Sequence, residues 1–250
     1  SPQAKSALTE IFRNTLARNK KDRYKSTDEL IEALDKAIEI TSNKIFLCDH
    51  NITTTTSKDY YISRADKVKE IREKLENYHI AYLYGIGGIG KSETAREYAE
   101  TYRNDYEVIH FTHYSIGLKE TLSSLNFINL DDKGFKFEER YNVRLNMLSK
   151  KEMYNSNTLL IIDNYNVAPD SDKYKNNVAV MKDLKKLDIH ILFTTRTSHD
   201  DDNKKIDIEE LSSDNLKQLF FAVNPKDSNS EERIKQVDEL IETAFRHTLT

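Results

Sequence analysis

The stretch GIGGIGKSETA, residues 85–95, contains four of the chain's six glycines. It lies between the apolar run IAYLY and a charged segment with helical character. The spacing of residues 85–92 fits the pattern G-x-x-x-x-G-K-[ST], and its place between a predicted strand and a predicted helix is typical of a phosphate-binding loop, or P-loop. Glycine suits such a loop because the backbone must curl around a phosphate group with its N–H groups directed inward.

Each part of this motif has an expected role in nucleotide binding. We expect Lys91 to neutralise the β- and γ-phosphates and Ser92 to coordinate Mg²⁺. The helix that follows would direct the positive end of its dipole at the ligand. The predicted nucleotide contacts are Gly85, Ile86, Gly87, Gly88, Ile89, Gly90, Lys91, Ser92 and Glu93. The alternative is a glycine-rich turn that holds no ligand, which the complete motif disfavours.

Two further side chains follow apolar runs. Asp163 ends TLLIID, and Arg196 follows ILFTT. Because parallel sheets bind ligands at the carboxyl ends of their strands, we predict that Asp163 holds Mg²⁺ with Ser92 and that Arg196 contacts a terminal phosphate. Asp163 could instead cap a helix, and Arg196 could pair with a surface acid such as Asp200. On the functional interpretation, the catalytic residues are Lys91, Asp163 and Arg196.

The residue after the predicted magnesium ligand bears on the reaction. Fast P-loop ATPases commonly place a second carboxylate there to activate water, but this chain has Asn164. An amide cannot accept a proton, so general-base catalysis worth roughly 10²–10⁴-fold would be absent or come from elsewhere. The sequence therefore does not decide whether the chain hydrolyses ATP, and we expect at most a slow Mg²⁺-dependent ATPase. The alternative is an actively hydrolysing P-loop ATPase of the motor or transporter type.

Apolar segments alternate with helical ones from residue 65 onward. The helix ADKVKEIREKLENY precedes the first strand. The predicted strands are IAYLYG (80–85), EVIHFT (107–112), TLLIID (158–163), IHILFTT (189–195) and a weaker KKIDI (204–208). Continuous apolar runs indicate strands buried on both faces, as in a parallel sheet covered by helices. We predict an α/β fold, the three-layer αβα P-loop NTPase type with about five parallel strands.

The patterns divide the chain into four ranges. Residues 1–42 contain two amphipathic helices, and residues 43–58 form a linker that includes much of the polar stretch NITTTTSKDYY. Residues 59–209 form the P-loop core, and residues 210–250 begin a helical lid subdomain that we expect to be truncated. We therefore expect the chain to be a piece of a longer protein.

The composition of the chain limits its class of function. The 250 residues carry a formal net charge of −4 with both signs interspersed, so we expect no nucleic-acid partner. Cys48 is the only cysteine, which excludes an intramolecular disulfide. Since no apolar run approaches the roughly 20 residues that span a bilayer, we expect no membrane segment and a cytoplasmic location.

In order and spacing, YYISRADKVKEI, GIGGIGKSETAREYA, LLIIDN, ILFTTR and EELSSDNLKQLF resemble the nucleotide-binding domain of bacterial and other STAND ATPases of the NB-ARC type. The resemblance covers residues 58–250 and implies an ATP- or ADP-binding switch that uses Mg²⁺. It also implies adenine contacts by Ile62 and Arg64, although Ser63 and Ala65 replace the usual Gly and Glu. Self-association of the full-length protein in its ATP-bound form is a further implication. AFRHTLT, residues 244–250, resembles the place of a lid motif.

The N-terminal helices resemble a different family. LTEIFRNTLARNKKDRYKSTDELIEAL, residues 8–34, is similar to the last helices of a serine/threonine kinase C-lobe. The resemblance implies that Arg23 pairs with a glutamate outside this chain. Because the chain contains no H-R-D or D-F-G triplet, we expect no kinase activity from it. The basic run ARNKKDRYK as a nucleic-acid patch is the alternative, but such runs are usually a solvated face.

Overall fold

The computed structural model describes residues 2–42, 45–50, 52–54, 60–168, 171–198, 202–224 and 231–243. Asp200, the lid-like segment 244–250 and part of the predicted linker lie outside these ranges. No helix within them combines the length and the apolar character that crossing a membrane requires.

Helices and strands alternate along most of the chain. The first half forms α1 (Pro2–Thr15), α2 (Thr27–Ser42), β1 (Phe46–Leu47), α3 (Ala65–Tyr78), β2 (Ile80–Tyr84), α4 (Lys91–Thr101), β3 (Val108–His113), α5 (Leu118–Ser123) and β4 (Phe127–Ile128). The second half forms α6 (Phe137–Leu148), β5 (Thr158–Asp163), α7 (Asp172–Leu184), β6 (His190–Thr195), β7 (Lys205–Asp207), α8 (Ser213–Val223) and α9 (Glu231–Thr243). The predicted helix at residues 65–78 and the helix that begins at Lys91 are both present.

Five strands form one parallel sheet in the order β3-β5-β6-β2-β7. Each predicted strand is present, and EVIHFT is displaced by one residue to 108–113. The P-loop strand β2 lies between β6 and β7, so β6 separates it from β5. Because all five strands run in the same direction, the carboxyl ends of β2, β5 and β6 meet at one edge of the sheet. The residues that follow these three strands therefore converge.

Helices cover both faces of the sheet. In β5, Leu160 and Ile162 pack on the side of α5, α6 and α7, whereas Leu159 and Ile161 pack on the side of α3 and α4. All four side chains are fully buried, as expected for a strand covered on both faces. The structure thus confirms the predicted three-layer αβα P-loop NTPase fold with five parallel strands.

A small antiparallel pair, which the sequence analysis did not predict, lies beside the main sheet. β1, which lies within the predicted linker range, pairs with β4, and the Leu47 side chain is fully buried. The residues after β1 then follow the edge strand β3: the His50 N–H donates to the Ile109 carbonyl at 2.7 Å, and the Asp49 carboxylate accepts from the Ile109 N–H at 2.8 Å. Residues 48–50 therefore cover an edge of the sheet that would otherwise expose unpaired backbone groups.

The two N-terminal helices pack against each other. Ile11 and Ala37 are buried between them. Several other apolar side chains of this region are exposed, including 62% of Phe12 and 74% of Leu16. Leu16 follows the end of α1 at Thr15, so the helix is shorter than the periodicity indicated. This pair therefore presents apolar side chains at its surface.

Helices α8 and α9 form a second pair, located after the last strand of the sheet. Leu211, Leu216, Val237 and Ile241 make its buried core. α8 begins at the N-cap Ser212, whose hydroxyl accepts a hydrogen bond from the Asn215 N–H at 3.2 Å. A short segment, residues 208–212, connects this pair to β7 and runs beside the P-loop.

Candidate functional site

The P-loop connects the end of β2 to the start of α4, and its conformation explains its glycines. Gly88 and Gly90 have φ angles of 75° and 104°, in the left-handed region that favours glycine. At Gly85, a Cβ atom would lie 2.9 Å from the Ile208 carbonyl oxygen. The loop can therefore curl tightly against the end of β7.

Lys91 is buried at the centre of this loop. Its ammonium donates to the carbonyl oxygens of Gly85 at 2.9 Å and Ile86 at 2.7 Å. Burial, and to a smaller extent the nearby Arg196 guanidinium, lower the pKa of Lys91 to about 8, and the Asp163 carboxylate partly offsets this effect. The ammonium is thus partly desolvated next to a second cation. An anion that enters the loop would interact favourably with both charges.

Arg196 follows β6, and its guanidinium lies against the P-loop. A Cβ atom on Gly87 would be 3.0 Å from the central carbon of the Arg196 guanidinium. The backbone N–H of Arg196 donates to the Asn166 side-chain oxygen at 2.7 Å, which fixes the backbone at the end of the strand. Gly87 therefore leaves the space that this guanidinium occupies, and Arg196 and Lys91 reach the loop from different elements.

Asp163, at the end of β5, and Ser92, in the first turn of α4, are in direct contact, although β6 separates β5 from β2, the strand that leads into the P-loop. The Ser92 hydroxyl donates to Asp163 Oδ1 at 2.6 Å, and the Thr194 hydroxyl donates to the same oxygen at 2.6 Å. Asp163 Oδ2 accepts from the Asn164 amide at 3.0 Å and lies 3.2 Å from His113 Nδ1. Both carboxylate oxygens are thus turned toward the other residues of the site.

The donor set fits magnesium bound together with phosphate. Mg²⁺ prefers six oxygen ligands and usually retains several waters, with one or two protein ligands and the phosphates of the substrate. Ser92 supplies a hydroxyl and Asp163 a carboxylate. Among the described residues, no group of three or more His, Cys, Asp or Glu side chains is arranged to hold a metal ion. These residues thus resemble a shared nucleotide–Mg²⁺ site more than a dedicated protein cage.

Asn164 is held by the residues around it. Its φ angle is 63°, its N–H donates to the Thr194 hydroxyl at 2.9 Å, and its side-chain amide donates to Asp163. The side chain therefore supports the Asp163 carboxylate. It provides no group that can take a proton from water.

Arg64 links the loop to the segment that precedes α8. One end of its guanidinium donates to the Ile89 carbonyl at 3.0 Å and the other to the Glu209 carbonyl at 2.7 Å. Ile62, the other predicted adenine contact, packs against the core of the α8–α9 pair. Glu93, in the first turn of α4, is 3.6 Å from the Arg96 guanidinium.

A pocket of about 580 Å³ adjoins the loop on the β7 side. It is lined by Tyr84, Gly85, Ile86, Ile89, Asp207, Ile208, Glu209 and Glu210. Its walls thus combine the apolar side of the P-loop with three carboxylates from the end of β7. The two carbonyl groups that Arg64 contacts belong to residues of this lining.

The structure brings Lys91, Ser92, Asp163, Arg196 and Arg64 to one edge of the sheet. It also adds residues that the sequence analysis did not assign to the site: Thr194, His113 and Glu97. Thr194 lies near the end of β6, two residues before Arg196, so the apolar run that led to Arg196 could also have pointed to it. His113 ends β3 next to Asp163 in the strand register, which only the pairing of β3 with β5 reveals.

Comparisons with known proteins support no family assignment. No family model matches the chain, and neither does any curated protein. Among solved structures, the chain is similar to the Walker-type ATPase PABY2304 of Pyrococcus abyssi, with 16% identity and a TM-score of 0.48 over 78% of this chain and 66% of that one.

Two other solved structures are similar over 67% of this chain. They are Orc1 of Aeropyrum pernix in complex with DNA, with 14% identity and a TM-score of 0.46, and Hsp104, with 17% identity and a TM-score of 0.42. The chain spans 50% of the Orc1 chain and 30% of the Hsp104 chain. The parallel sheet and the P-loop of this chain show that it has a P-loop NTPase fold.

Proposed function

We propose that this chain is the nucleotide-binding domain of a STAND signal-transduction ATPase of the NB-ARC type. It binds ATP or ADP with Mg²⁺, hydrolyses ATP slowly and acts as a switch within a larger bacterial kinase–STAND regulator. The observation that carries the proposal is the convergence of Lys91 and Arg196 on the P-loop, beside the Ser92–Asp163 pair. The adenine preference and the switch role rest on the resemblance described above.

The residues divide the work of binding. Lys91 exchanges its bonds to the loop carbonyls for bonds to the phosphate oxygens, and the N–H groups of the loop and of α4 surround the same phosphates. Ser92 and Asp163 would hold Mg²⁺, which neutralises phosphate charge when bound. Arg196, whose guanidinium lies against Gly87, would contact the terminal phosphate of ATP and so distinguish ATP from ADP.

Slow turnover follows from the surroundings of Asp163. Its neighbour Asn164 donates its amide to the carboxylate and cannot accept a proton. The general-base contribution of roughly 10²–10⁴-fold is therefore missing at this position, and we expect turnover below about 1 s⁻¹. A domain that hydrolyses its bound ATP this slowly suits a switch in which the γ-phosphate biases the packing of neighbouring domains. Self-association of the full-length protein in the ATP-bound state is part of this proposal.

Nucleotide binding by Lys91→Ala and wild-type protein tests the proposal. Removing the ammonium should lower the affinities for ADP and for a non-hydrolysable ATP analogue, both with Mg²⁺, by about tenfold or more, because charge-assisted phosphate contacts are lost. Titration calorimetry measures both affinities. For the wild type, ADP at 100 times its dissociation constant should add about 2.7 kcal/mol to the free energy of unfolding.

Lys185→Ala is the matched control, because Lys185 is an exposed lysine at the C-terminus of α7, at the opposite edge of the sheet. It should bind both nucleotides as the wild type does. If the Lys91→Ala protein keeps wild-type affinity for ADP, the P-loop is not the binding site. If the wild type turns over ATP much faster than about 1 s⁻¹, the chain is an active ATPase and the switch interpretation fails.

A further inference from the structure

Residues 61–64, which precede α3, are held on α4 by one carboxylate. The Tyr61 hydroxyl donates to Glu97 Oε2 at 2.6 Å, and the Arg64 N–H donates to the same oxygen at 3.1 Å. The Ser63 hydroxyl donates to Glu97 Oε1. Glu97 lies in α4, the helix that begins at the P-loop lysine. A single side chain thus fixes three residues of this segment to the P-loop helix.

The charge of Glu97 suits this task. A carboxylate offers two acceptor oxygens, and hydrogen bonds to an ionised acceptor are about twice as strong as neutral ones. Glu97 is partly buried, and burial together with the Glu97 carboxylate raises the pKa of Tyr61, which keeps the phenol protonated as a donor. A glutamine would present one acceptor oxygen and one donor group. It therefore could not satisfy the same three donors.

The segment held by Glu97 touches two other parts of the molecule. The Arg64 guanidinium bonds to the P-loop carbonyl of Ile89 and to the carbonyl of Glu209, just before α8. Ile62 packs against the α8–α9 core. Burial lowers the pKa of Arg64, which shows that holding this cation between two carbonyl groups has a desolvation cost. The hydrogen bonds to Glu97 fix the backbone from which Arg64 reaches both of them.

We infer that Glu97 is a positioning residue that acts through Arg64 and couples the P-loop to the α8–α9 pair. The inference rests on the proposed function in one respect, since the ligand that changes the P-loop is taken to be a nucleotide. A shift of the Ile89 carbonyl on nucleotide binding changes one end of the Arg64 bridge. The other end is attached to the segment that leads into α8, so the helix pair responds to the state of the loop.

A double-mutant cycle with Glu97→Gln and Arg64→Ala tests this coupling. In the wild-type background, Glu97→Gln should lower the affinity for ADP by about tenfold because charged hydrogen bonds are lost. In the Arg64→Ala background the same change should alter the affinity by less than about twofold, since the residue through which it acts is gone. An equal loss in both backgrounds would show that Glu97 does not act through Arg64. Glu100→Gln, on the exposed face of the same helix, is the matched control.

Hydrogen exchange without nucleotide separates this inference from the proposed function. Glu97→Gln should increase amide exchange by about tenfold both in the loop, residues 86–90, and at the start of α8, residues 213–217, whereas Glu100→Gln should change neither. Faster exchange confined to residues 60–64 would overturn the inference, because the carboxylate would then hold only its own segment. If the wild type binds no ADP, the proposed function fails, and this measurement still decides whether Glu97 couples loop and helices.

Discussion

Asp163 illustrates how single residues define the site. Four side chains approach its two oxygens, and they come from α4, β3, β6 and the residue after β5. The carboxylate is buried, so its negative charge must be stabilised by these donors and by the cations of the loop. A divalent cation at this place would exchange with some of the donors. Asp163 thus organises the side chains around it.

Arg196 provides a prediction at this scale. Arg196→Ala should lower the affinity for a non-hydrolysable ATP analogue by about tenfold or more, because a charge-assisted bond to the terminal phosphate is lost. ADP lacks that phosphate, so its affinity should change by less than about threefold. Calorimetric titration with each nucleotide in the presence of Mg²⁺ measures the ratio. Arg18→Ala, at an exposed arginine after α1, should leave both affinities unchanged; equal losses for both nucleotides would make Arg196 a structural residue.

At the level of the strands, β6 and β3 each contain a buried histidine that lies away from the P-loop. His190 at the start of β6 contacts the Tyr106 hydroxyl at 2.8 Å through Nδ1, and Tyr106 contacts the Tyr98 hydroxyl at 2.5 Å. His110 in β3 contacts the Cys48 carbonyl at 2.8 Å, also through Nδ1. Burial lowers the pKa of each histidine to about 4. Both imidazoles are therefore neutral in the folded protein at physiological pH.

These histidines make stability depend on pH. In the unfolded chain their pKa returns to about 6.5, so below that pH the unfolded state binds more protons than the folded state. The free energy of unfolding should be constant above pH 6.5 with respect to these groups and fall as the pH decreases toward 4. By pH 4.5 each histidine should contribute a loss of about 2–3 kcal/mol. Urea denaturation at pH 7.5 and pH 4.5 measures the difference.

His190→Asn and His110→Asn are the matched variants, because an asparagine amide can replace the Nδ1 hydrogen bond and does not titrate. Each should reduce the pH dependence by roughly the share of one histidine. A free energy of unfolding with the same slope in the variants as in the wild type would exclude these two groups as its cause.

At the scale of the whole molecule, the N-terminal helices and the α/β core are built differently. The buried side chains of the core form clusters on both faces of the sheet and in the α8–α9 pair, and none of these clusters includes a described residue of α1 or α2. By contrast, residues 45–50 belong to the packing of the core, since Leu47 is fully buried and Asp49 bonds to β3. The structural boundary of the core therefore lies before residue 45.

Two truncations test this boundary. A chain without residues 1–42 should fold and bind ADP within about twofold of the wild type, because the core loses no buried contact of its clusters. A chain without residues 1–50 should be less stable by about 2–5 kcal/mol, since it loses the Leu47 side chain and the cover of β3. Urea denaturation and ADP titration of both chains provide the measurements. Equal stability of the two truncations would show that residues 45–50 do not support the core.

Short-range patterns in the sequence were enough for much of this fold. The P-loop motif, the apolar runs of five parallel strands and the helix at residues 65–78 each depend on neighbours within a few residues, so they could be read from the chain alone. The candidate residues could be located in the same way: Lys91 through the P-loop motif, and Asp163 and Arg196 because each lies at the end of a predicted strand.

Other features depend on residues that are distant along the chain. The pairing of β1 with β4, the contact of Ser92 with Asp163 and the position of His113 all follow from the order of strands in the sheet. Glu97 had no motif to mark it, because its three donors lie more than 30 residues earlier in the chain. GIGGIGKSETA thus specifies a loop that can hold phosphate. Which side chains surround that loop is a consequence of packing, since packing alone brings α4, β5, β6 and residues 61–64 together.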